Sequence, residues 1–498
     1  MISRNVTFFF EGHQLNGVRG EPIAKALFDA GIKTLSYSVK YKRPRGLHCA
    51  RGRCVMCHMS VNGTPGVPTC ITPLEEGMRI ERENYQPVFG PFLTAVARLL
   101  PLPAGFYYRS FTKPSFLREF FVRTVRKMAG VGRLGTGGKL RVDGDAAAEE
   151  DRTPQGGPRI DGLYDVAVVG GGITGMAVAV SSAETGAKVL LVDEYPVPGG
   201  HSIGYQSNAS LAASRDRLIE SVAQHPSVHY HPNTTALGFY PPDTLLLGPG
   251  GSTGFEPCLG PTHTSSVTAG AARRRAMTRI RARSFVFATG AYDVVPVFEN
   301  NDMPGIFGSR AIRLLLERDG LRPGKRAVVY GTGPALGQTA ELLLHHEISV
   351  AALIDPSDRF HEAVTSSKKL GDISRISGAR VIGTKGKDWI SAVTVANGIF
   401  RGGDRPAETV LPCDLFCTAF AGQGAYELPH QAGFEFSLPE ASLDENRVLI
   451  PDRTRVETEP GSGITCYVVG EAAGETLWNR KIDSGKETGK HAARPLDS

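Results

Sequence analysis

Four cysteines lie close together near the start of the chain, at Cys49, Cys54, Cys57 and Cys70. Their spacing, C-x4-C-x2-C-x12-C, is typical of plant-type ferredoxins, in which three thiolates come from one tight loop and the fourth arrives later. Small loop residues such as Gly52 would let backbone N–H groups approach the sulfurs. The pattern predicts a 2Fe–2S cluster, which carries one electron at a time.

A zinc ion is the main alternative to the iron–sulfur cluster as the group bound by the four cysteines. A second alternative is that all four are free thiols. Structural zinc sites usually combine two C-x2-C pairs, whereas this segment contains one. The iron–sulfur cluster is therefore the favoured interpretation of the cysteine spacing.

A second group of candidate residues lies in the stretch DVAVVGGGITGMAVAV, which we interpret as a strand, a glycine turn and a helix. Gly170, Gly172 and Gly175 would let the backbone approach a pyrophosphate at the helix N-terminus. Asp193 ends the next strand about 20 residues later, where an acid binds a ribose 2′-OH. The pattern predicts a dinucleotide site for FAD, NAD or another adenine nucleotide, and a tight turn without a ligand is the alternative.

A second strand–turn–helix unit follows in RAVVYGTGPALGQTAELLLHHEISVAALIDPS. Its glycines are Gly331, Gly333 and Gly337, and Asp355 ends its second strand. The third glycine comes one residue late, and Pro334 stiffens the turn. A working nucleotide site and a Rossmann-like domain kept for its architecture both remain open, and the acid would favour NAD over NADP.

Two further stretches are expected to flank the first dinucleotide site. One strand ends at Thr289 and Gly290, and a strand near the C-terminus ends at Gly470 and Glu471. Both stretches are rich in small residues, which would allow a backbone to pass close to the cofactor. Because the second strand–turn–helix unit lies between them, we expect the first Rossmann fold to resume after the second.

These patterns predict an α+β ferredoxin-like domain followed by an α/β flavoprotein fold with two nested dinucleotide-binding domains. The predicted segments are a 2Fe–2S domain at 1–95, a helical segment and linker at 96–160, an FAD/NAD-type domain at 161–320 plus 410–498, and a nested Rossmann-like domain at 321–409. The linker segment includes an amphipathic helix in PSFLREFFVRTVRKMAG. A Gly/Pro/Ser/Thr-rich insertion is expected between residues 244 and 277.

Composition narrows the class of protein. Of 498 residues, 41% are hydrophobic and 21% are charged, which is typical of a soluble globular protein. The net charge of +6 is mild, and the basic runs lack interleaved aromatic residues, so no nucleic-acid partner is expected. There is no signal peptide and no apolar run of about 18 residues, so we expect no transmembrane segment and a cytoplasmic location.

The remaining cysteines, Cys258, Cys413, Cys417 and Cys466, are scattered and form no disulfide framework. Neither nucleotide motif carries the redox cysteine pair of flavoprotein disulfide reductases. We interpret Cys413 and Cys417 as buried thiols. No His/Asp/Ser constellation near a nucleotide motif indicates a substrate base, so the catalytic residues are unknown.

Four stretches give the chain a family resemblance: SVKYKRPRG, LPAGFYYRSFTKPSF, DVAVVGGGITGMAVAV and ATGAYDVVPVFENNDMPGI. On these stretches the chain resembles the N-terminal half of the alpha subunit of heterotetrameric sarcosine oxidase. It is more similar to shorter relatives that keep an iron–sulfur cluster. These are the large subunits of octopine and nopaline oxidases, of dye-linked L-proline and hydroxyproline dehydrogenases, and of hydrogen cyanide synthase.

The resemblance implies an FAD-dependent oxidoreductase subunit that acts on CH–NH or CH–NH2 donors. Amine oxidation would occur on a partner, a glycine-oxidase-like FAD beta subunit, and this chain would pass electrons from a flavin through the 2Fe–2S cluster to an acceptor. The family allows an FMN at the subunit interface and a further small subunit. Opine, proline, sarcosine and glycine all remain open as substrates.

Three departures from the family pattern modify this expectation. The chain retains four cysteines where the sarcosine oxidase alpha subunit does not keep the cluster. The chain lacks the folate-binding half of the sarcosine oxidase alpha subunit, so we expect no folate chemistry. Glu471 stands where many related flavoproteins have an aspartate that binds the ribityl chain, which leaves NAD open for the first site. The main functional alternative is a self-contained reductase that binds NADH at Gly331–Gly337, and a structural subunit with a vestigial nucleotide site is a third.

Overall fold

The computed structural model describes residues 5–38, 43–83, 163–249, 277–397, 407–438 and 448–494. These residues form two compact units, one built mainly from residues up to 83 and the other mainly from residues after 163. The predicted amphipathic helix at 114–130 and most of the predicted insertion lie outside the described residues. No helix in the described ranges is both long and apolar enough to cross a membrane.

The first unit is a five-stranded mixed sheet with one helix. The sheet order is β2-β1-β7-β5-β6, in which β1 pairs antiparallel with β2 and parallel with β7. Its elements are β1 (Asn5–Phe10), β2 (His13–Val18), α1 (Ile23–Asp29), β3 (Ser36–Tyr37), β4 (Pro44–Arg45), β5 (His58–Val61), β6 (Thr64–Pro68) and β7 (Arg79–Glu81).

Alternation along the chain explains this packing. In β1 the side chains of Val6, Phe8 and Phe10 are buried and their neighbours are not, as expected for a strand with one face on the core. The hairpin turn uses positive φ angles at Glu11 and Gly12. Helix α1 buries Ile23 and its apolar neighbours against the sheet. The predicted ferredoxin-like domain is confirmed.

The second unit contains three larger sheets and several helices. Its strands are β8 (Leu163–Val169), β9 (Val189–Val192), β10 (Val228–His231), β11 (Thr234–Tyr240), β12 (Thr244–Pro249), β13 (Thr278–Phe287), β14 (Ala291–Tyr292), β15 (Ile306–Gly308), β16 (Arg326–Gly331), β17 (Ser349–Asp355), β18 (Ser374–Ser377), β19 (Ala379–Gly386), β20 (Ile390–Asn397), β21 (Glu408–Pro412), β22 (Leu415–Ala419), β23 (Gln423–Gly424), β24 (Phe436–Ser437), β25 (Ile450–Pro451), β26 (Arg455–Glu457) and β27 (Thr465–Val468). Its helices are α2 (Ile173–Ala183), α3 (Ala209–Gln224), α4 (Ser309–Arg313), α5 (Gly333–His345), α6 (Glu362–Thr365), α7 (Glu427–Gln431) and α8 (Trp478–Ala492).

The first sheet of this unit is largely parallel. Strands β10, β9, β8 and β13 follow one another in parallel, β27 joins β13 in parallel, and β12 and β11 complete an antiparallel meander. The central strands are continuous apolar runs because they are covered on both faces. Helix α2 covers one face, and aromatic side chains such as Phe285 and Phe287 fill the other. Each fully buried aromatic ring contributes about 1.5–3 kcal/mol of burial free energy.

The second sheet is entirely parallel, with the order β15-β22-β16-β17-β18. Because its strands fall between β13 and β27 in the chain, the expected nesting of two Rossmann folds is confirmed. Strands β15 and β22 lie outside the range 321–409 predicted for the nested domain, yet both belong to this sheet. A separate antiparallel sheet, β19-β20-β21, also lies in this part of the chain.

Helices α2 and α8 pack together through small residues. A side chain added at Gly485 would lie 2.8 Å from the carbonyl oxygen of Thr174. Further along, Ser182 Oγ donates a hydrogen bond to the carbonyl of Gly489 at 2.9 Å. The small residues of α2 therefore allow the last helix to lie against the first helix of the dinucleotide fold.

Candidate functional site

The cysteine loop provides backbone donors for sulfur. Cys57 and Cys70 are buried, and Cys49 and Cys54 are partly buried. The N–H of Gly52 donates to Cys70 Sγ at 3.2 Å. Such contacts to thiolate sulfur hold cluster ligands and tune their reduction potential. The loop therefore fits the thiolate chemistry that the spacing predicts.

Gly52 is required at this position for two reasons. Its φ is +71°, in the left-handed region that favours glycine, and an added Cβ would lie 2.5 Å from Ile71 Cδ1. In the described part of the chain, no three His, Cys, Asp or Glu side chains are placed to hold a single metal ion. A 2Fe–2S cluster does not need three side chains around one metal ion, because its four thiolates are divided between two irons.

The first glycine turn is a point of very close backbone approach. Gly170 has a φ of +109°, and an added Cβ would overlap the carbonyl group of Ala288. An added Cβ at Gly175 would overlap the carbonyl oxygen of Gly170. Helix α2 begins directly after Gly172, and no side chain caps it. Its first N–H groups are thus available to a pyrophosphate, so the residues present fit the predicted dinucleotide.

Asp193 lies directly beside this turn. Its Oδ2 accepts a hydrogen bond from the N–H of Gly171 at 2.5 Å, and its Oδ1 accepts one from Tyr195 at 2.7 Å. Burial raises the pKa of Asp193, and the two backbone donors oppose that shift. Asp193 thus lies beside the first glycine turn, and its contact to a ribose stays a prediction.

Thr289 and Gly290 follow the strand that packs on the glycine turn. Thr289 Oγ1 donates to the carbonyl of Ala425 at 2.8 Å, which ties the end of β13 to the segment after β23. Gly290 has a φ of +74°, and an added Cβ would meet no atom within 4 Å. The neighbour that approaches the turn most closely is Ala288.

Gly470 and Glu471 begin a short 3-10 turn, Gly470–Ala473, that lies beside the N-terminus of helix α2. Gly470 has a φ of +71°, and an added Cβ would lie 2.7 Å from Thr174 Oγ1 in the first turn of α2. The two predicted residues are thus brought to the first dinucleotide site. The carboxylate of Glu471, however, is bound by other side chains of the protein.

The Glu471 carboxylate is held by three basic side chains. Oε1 accepts from Lys481 Nζ at 2.7 Å, and Oε2 lies 2.9 Å from His201 Nδ1 and 3.5 Å from Arg310 Nη2. Arg310 also binds Asp293 at 3.1 Å. We call these five residues the Glu471 network. With a neutral histidine, its two cations and two carboxylates balance.

Burial and pairing determine the charge states in the Glu471 network. Burial alone would raise the pKa of Glu471, but the hydrogen bond from His201 and the charges of Arg310 and Lys481 hold it well below its ordinary value. Burial and neighbouring arginines lower the pKa of His201 to about 4, despite the adjacent carboxylate. Glu471 is therefore ionised and His201 is neutral at pH 7.

The sequence analysis missed His201, Asp293, Arg310 and Lys481. The only available signals were weak: His201 follows the pair Gly199–Gly200 after the ribose acid, and Asp293 lies in the family-like stretch after β13. Lys481 is buried on α8. Its burial could not be predicted from the sequence, because a lysine in a polar helix gives no sign of it. Their association depends on the tertiary fold.

The second glycine turn has a similar plan but looser packing. An added Cβ at Gly331 would overlap the carbonyl of Ala419, and Gly333, with a φ of +63°, opens α5. At Gly337, however, the nearest atom to an added Cβ is the carbonyl oxygen of Ala363 at 3.3 Å. That contact is tight, so an alanine at position 337 needs the Ala363 backbone to shift by a few tenths of an ångström, much less than the overlap at Gly175 requires.

Asp355 ends β17, as predicted, and is buried. Its Oδ1 accepts hydrogen bonds from the N–H of Ser357 at 2.9 Å and from its hydroxyl at 2.5 Å. Of the four residues predicted for the second site, Gly331 and Asp355 end the neighbouring strands β16 and β17, and Gly333 and Gly337 lie in the first turns of α5.

The other described cysteines are unsuited to thiolate chemistry. Burial raises the pKa of Cys413 to about 12, and it also raises the pKa of Cys417 and Cys466. A thiol with a raised pKa is a poor nucleophile at neutral pH. The interpretation of Cys413 and Cys417 as buried thiols is confirmed, and Cys258 lies outside the described residues.

Comparison with known proteins supports both sites. Residues 3–85 match the model of a 2Fe-2S iron-sulfur cluster binding domain, and residues 165–224 match that of FAD dependent oxidoreductases. The chain is therefore an iron–sulfur flavoprotein oxidoreductase, with a 2Fe–2S cluster and FAD as its cofactors. Among the nucleotides left open by the sequence, FAD is the one that this match supports for the first site.

Two kinds of known protein are similar to this chain in sequence. It is 29% identical to the sarcosine oxidase alpha subunit of Rhizobium meliloti (strain 1021) over 410 residues, which cover 80% of this chain and 39% of that protein. It is 28% identical over 193 residues to the opine oxidase A-subunit of the same strain, covering 39% of each. The chain is thus similar in sequence to sarcosine oxidase alpha-subunits and opine oxidase A-subunits.

A solved structure has the same fold. The L-proline dehydrogenase from P. horikoshii aligns with a TM-score of 0.59 at 18% identity, covering 99% of this chain and 73% of that one. At this identity the likeness supports the fold alone. The chain spans about two fifths of the length of the sarcosine oxidase alpha subunit that it matches.

Replacing Gly52 with alanine should remove most of the 2Fe–2S absorbance, because the new methyl group displaces the N–H that donates to Cys70 Sγ. Gly63→Ala is the matched control, since Gly63 also has a positive φ but an added Cβ would meet no atom within 4 Å. Both variants carry a similar backbone strain of about 1–2 kcal/mol. Equal iron and sulfide content in the two purified variants would contradict this role for Gly52.

Replacing Gly175 with alanine should prevent FAD binding, because the new Cβ overlaps the carbonyl oxygen of Gly170. Gly337→Ala, the equivalent change in the second glycine turn, should leave FAD content near the wild-type level, since its new Cβ meets Ala363 and not the first glycine turn. The measurement is the ratio of released FAD to protein after denaturation. Full FAD content in Gly175→Ala would show that the nucleotide lies elsewhere.

Acidification should destabilise the second unit because of His201. Its pKa is 6.5 when exposed and about 4 in the fold, so below pH 6.5 the unfolded chain binds a proton that the folded chain does not. Between pH 6.5 and pH 4 this difference amounts to about 3 kcal/mol. Glu471 adds to the loss only below its ordinary pKa of 4.5. The fall in Tm from pH 7 to pH 4.5 should be smaller in His201→Asn than in wild type, and equal falls would count against this assignment.

Proposed function

We propose that this chain is the electron-transfer subunit of a heteromeric amine or amino-acid dehydrogenase or oxidase. A partner subunit resembling glycine oxidase would oxidise the C–N bond of an opine, proline, sarcosine or glycine to C=N. The two electrons released would reach this chain through a flavin, leave through its 2Fe–2S cluster one at a time, and pass to an acceptor. The flavin is needed because it converts a two-electron step into single-electron steps.

One observation carries this proposal: a four-cysteine ferredoxin loop and an FAD-type glycine turn occur in one chain. The loop offers an N–H donor to sulfur at Gly52, and the glycine turn offers uncapped helix N–H groups after Gly172. The buried thiols Cys413 and Cys417 provide no redox pair beside the nucleotide. The iron–sulfur cluster is therefore the only predicted exit for electrons in the described residues.

The placement of the amine site on a partner is supported by what surrounds the first dinucleotide site. The nearby titratable side chains of the Glu471 network bind one another, and His201 is their one neutral base. The family relatives are named as subunits, which supports a heteromeric assembly. A cytoplasmic location, an FMN at the subunit interface and a further small subunit belong to the same proposal.

The self-contained NADH-dependent reductase is the second candidate. It is favoured by the parallel β16–α5–β17 unit, whose acid Asp355 ends β17 as in NAD-binding folds. Anaerobic mixing of the purified chain with NADH distinguishes the two functions. Rapid bleaching of the flavin by NADH would establish the reductase, whereas the proposed subunit should reduce its flavin only in the presence of the partner and an amine.

Replacing Cys54 with serine should abolish the cluster signal in electron paramagnetic resonance and reduce acceptor turnover in the complex by at least about tenfold, because a hydroxyl is a much poorer iron ligand than a thiolate. Reduction of the partner's FAD by the amine should persist, since that step precedes the cluster. Cys466→Ser, at a buried thiol of the second unit, is the control and should keep the cluster signal. Unchanged acceptor turnover in Cys54→Ser would rule out the proposed electron path.

A further inference from the structure

The peptide group between Ala50 and Arg51 lies beside the first cysteine of the cluster loop. Its N–H, from Arg51, donates to Cys49 Sγ at 3.5 Å. Its carbonyl, from Ala50, accepts a hydrogen bond from Arg318 Nη1 at 3.1 Å. His48–Arg51 and Arg318 belong to the same compact unit. One peptide group thus contacts a cysteine sulfur at one end and a guanidinium at the other.

Ala50 has an unusual backbone conformation at this point. Its φ is +51°, in the left-handed region that residues other than glycine rarely adopt, and the residue is buried. Such a conformation is strained, persists only where surrounding contacts hold it, and is common at functional sites. The hydrogen bond from Arg318 is a contact that holds the Ala50 carbonyl in this direction.

The Arg318 side chain is itself fixed in one orientation. The residue ends a π-helical turn, Leu314–Arg318, that continues helix α4. Its Nε and Nη2 donate to the two carboxylate oxygens of Asp319, each at 2.7 Å. Both side chains of this pair are largely buried, with 14% and 5% exposed. A guanidinium bound through this fork cannot rotate, so Nη1 stays directed at the Ala50 carbonyl.

Tyr195 joins the two ends of this arrangement. Its hydroxyl accepts a hydrogen bond from Arg318 Nη1 at 2.6 Å, and the Arg51 guanidinium lies over its ring, 5.5 Å from the centroid. The same aromatic side chain therefore orients Arg318 and holds the side chain of Arg51. The peptide group that faces Cys49 is constrained from both sides.

A cation at the carbonyl end of a peptide group makes its N–H a stronger donor. The charge of Arg318 polarises the peptide, so the hydrogen bond from the Arg51 N–H to Cys49 Sγ is strengthened. Hydrogen bonds to sulfur stabilise negative charge on it, and reduction of a 2Fe–2S cluster adds one negative charge. The contact between Arg318 and Ala50 therefore favours the reduced state of a cluster bound at Cys49.

We propose that Arg318 is a positioning residue for the 2Fe–2S cluster, which acts on Cys49 through the peptide group between Ala50 and Arg51 and raises the reduction potential of the cluster. This role requires the cluster alone. It depends neither on a partner subunit nor on which nucleotide binds at either glycine turn, so it can fail while the proposed function holds.

A charge-neutral replacement of the buried pair tests this role. Arg318→Met combined with Asp319→Asn removes the donor to Ala50 and leaves the net charge of the pair at zero. The midpoint potential, measured on the full-length protein by electron paramagnetic resonance during a redox titration, should fall by about 59 mV, a tenfold weaker affinity of the cluster for its electron. The matched control is Arg322→Met with Glu347→Gln, at an exposed ion pair, and should keep the wild-type potential. No fall in the first variant, or an equal fall in the control, would overturn the proposal.

Asp319→Asn alone should give a shift of the opposite sign. It keeps the Arg318 donor and leaves the charge of the guanidinium unbalanced, so the midpoint potential should rise above that of wild type. A fall in this variant would mean that the pair only maintains the structure of the loop, which contradicts the proposed role. Iron and sulfide content and Tm check that each variant is folded and loaded. If the double variant does not retain its cluster, the sign of the shift in Asp319→Asn decides.

Discussion

The close approach of three backbones at the first glycine turn is the constraint on which the dinucleotide fold depends. Gly175 in helix α2 lies against the carbonyl of Gly170, and Gly170 in turn lies against Ala288 at the end of β13. No side chain fits between these segments, so the strand, the helix and the crossing strand have one relative position. That position leaves the start of α2 uncapped and brings Asp193 to the N–H of Gly171.

The sequence predicts the parts of this arrangement that are encoded locally. Glycine spacing predicted β8, α2 and the following acid. The nested order of the two Rossmann folds also followed from the order of their motifs. The edges of the nested domain did not, because β15 and β22 are short strands that are defined by pairing with distant neighbours rather than by a pattern of their own.

The Glu471 network was beyond sequence reasoning for the same physical reason. His201 and Glu471 are 270 positions apart, and nothing local to either residue indicates the other. Burying ions is costly unless each is paired, and here Lys481 and Arg310 balance Glu471 and Asp293. Such a network contributes little net stability compared with apolar packing, but it fixes the geometry of the 3-10 turn Gly200–Gly204, helix α4 and helix α8 relative to one another.

Strand β27 pairs with the middle of the first sheet, although it is made after the whole of the second. During synthesis, the Ser284–Phe287 part of β13 therefore keeps an open edge of main-chain donors and acceptors until β27 has emerged, whereas Thr278–Arg281 already pairs with β12. Helix α8, which covers α2, arrives later still. The nested domain can be complete before the domain that surrounds it, so the FAD fold is begun first and closed last. Its cofactor can find a finished site only after β27 and α8 have been translated.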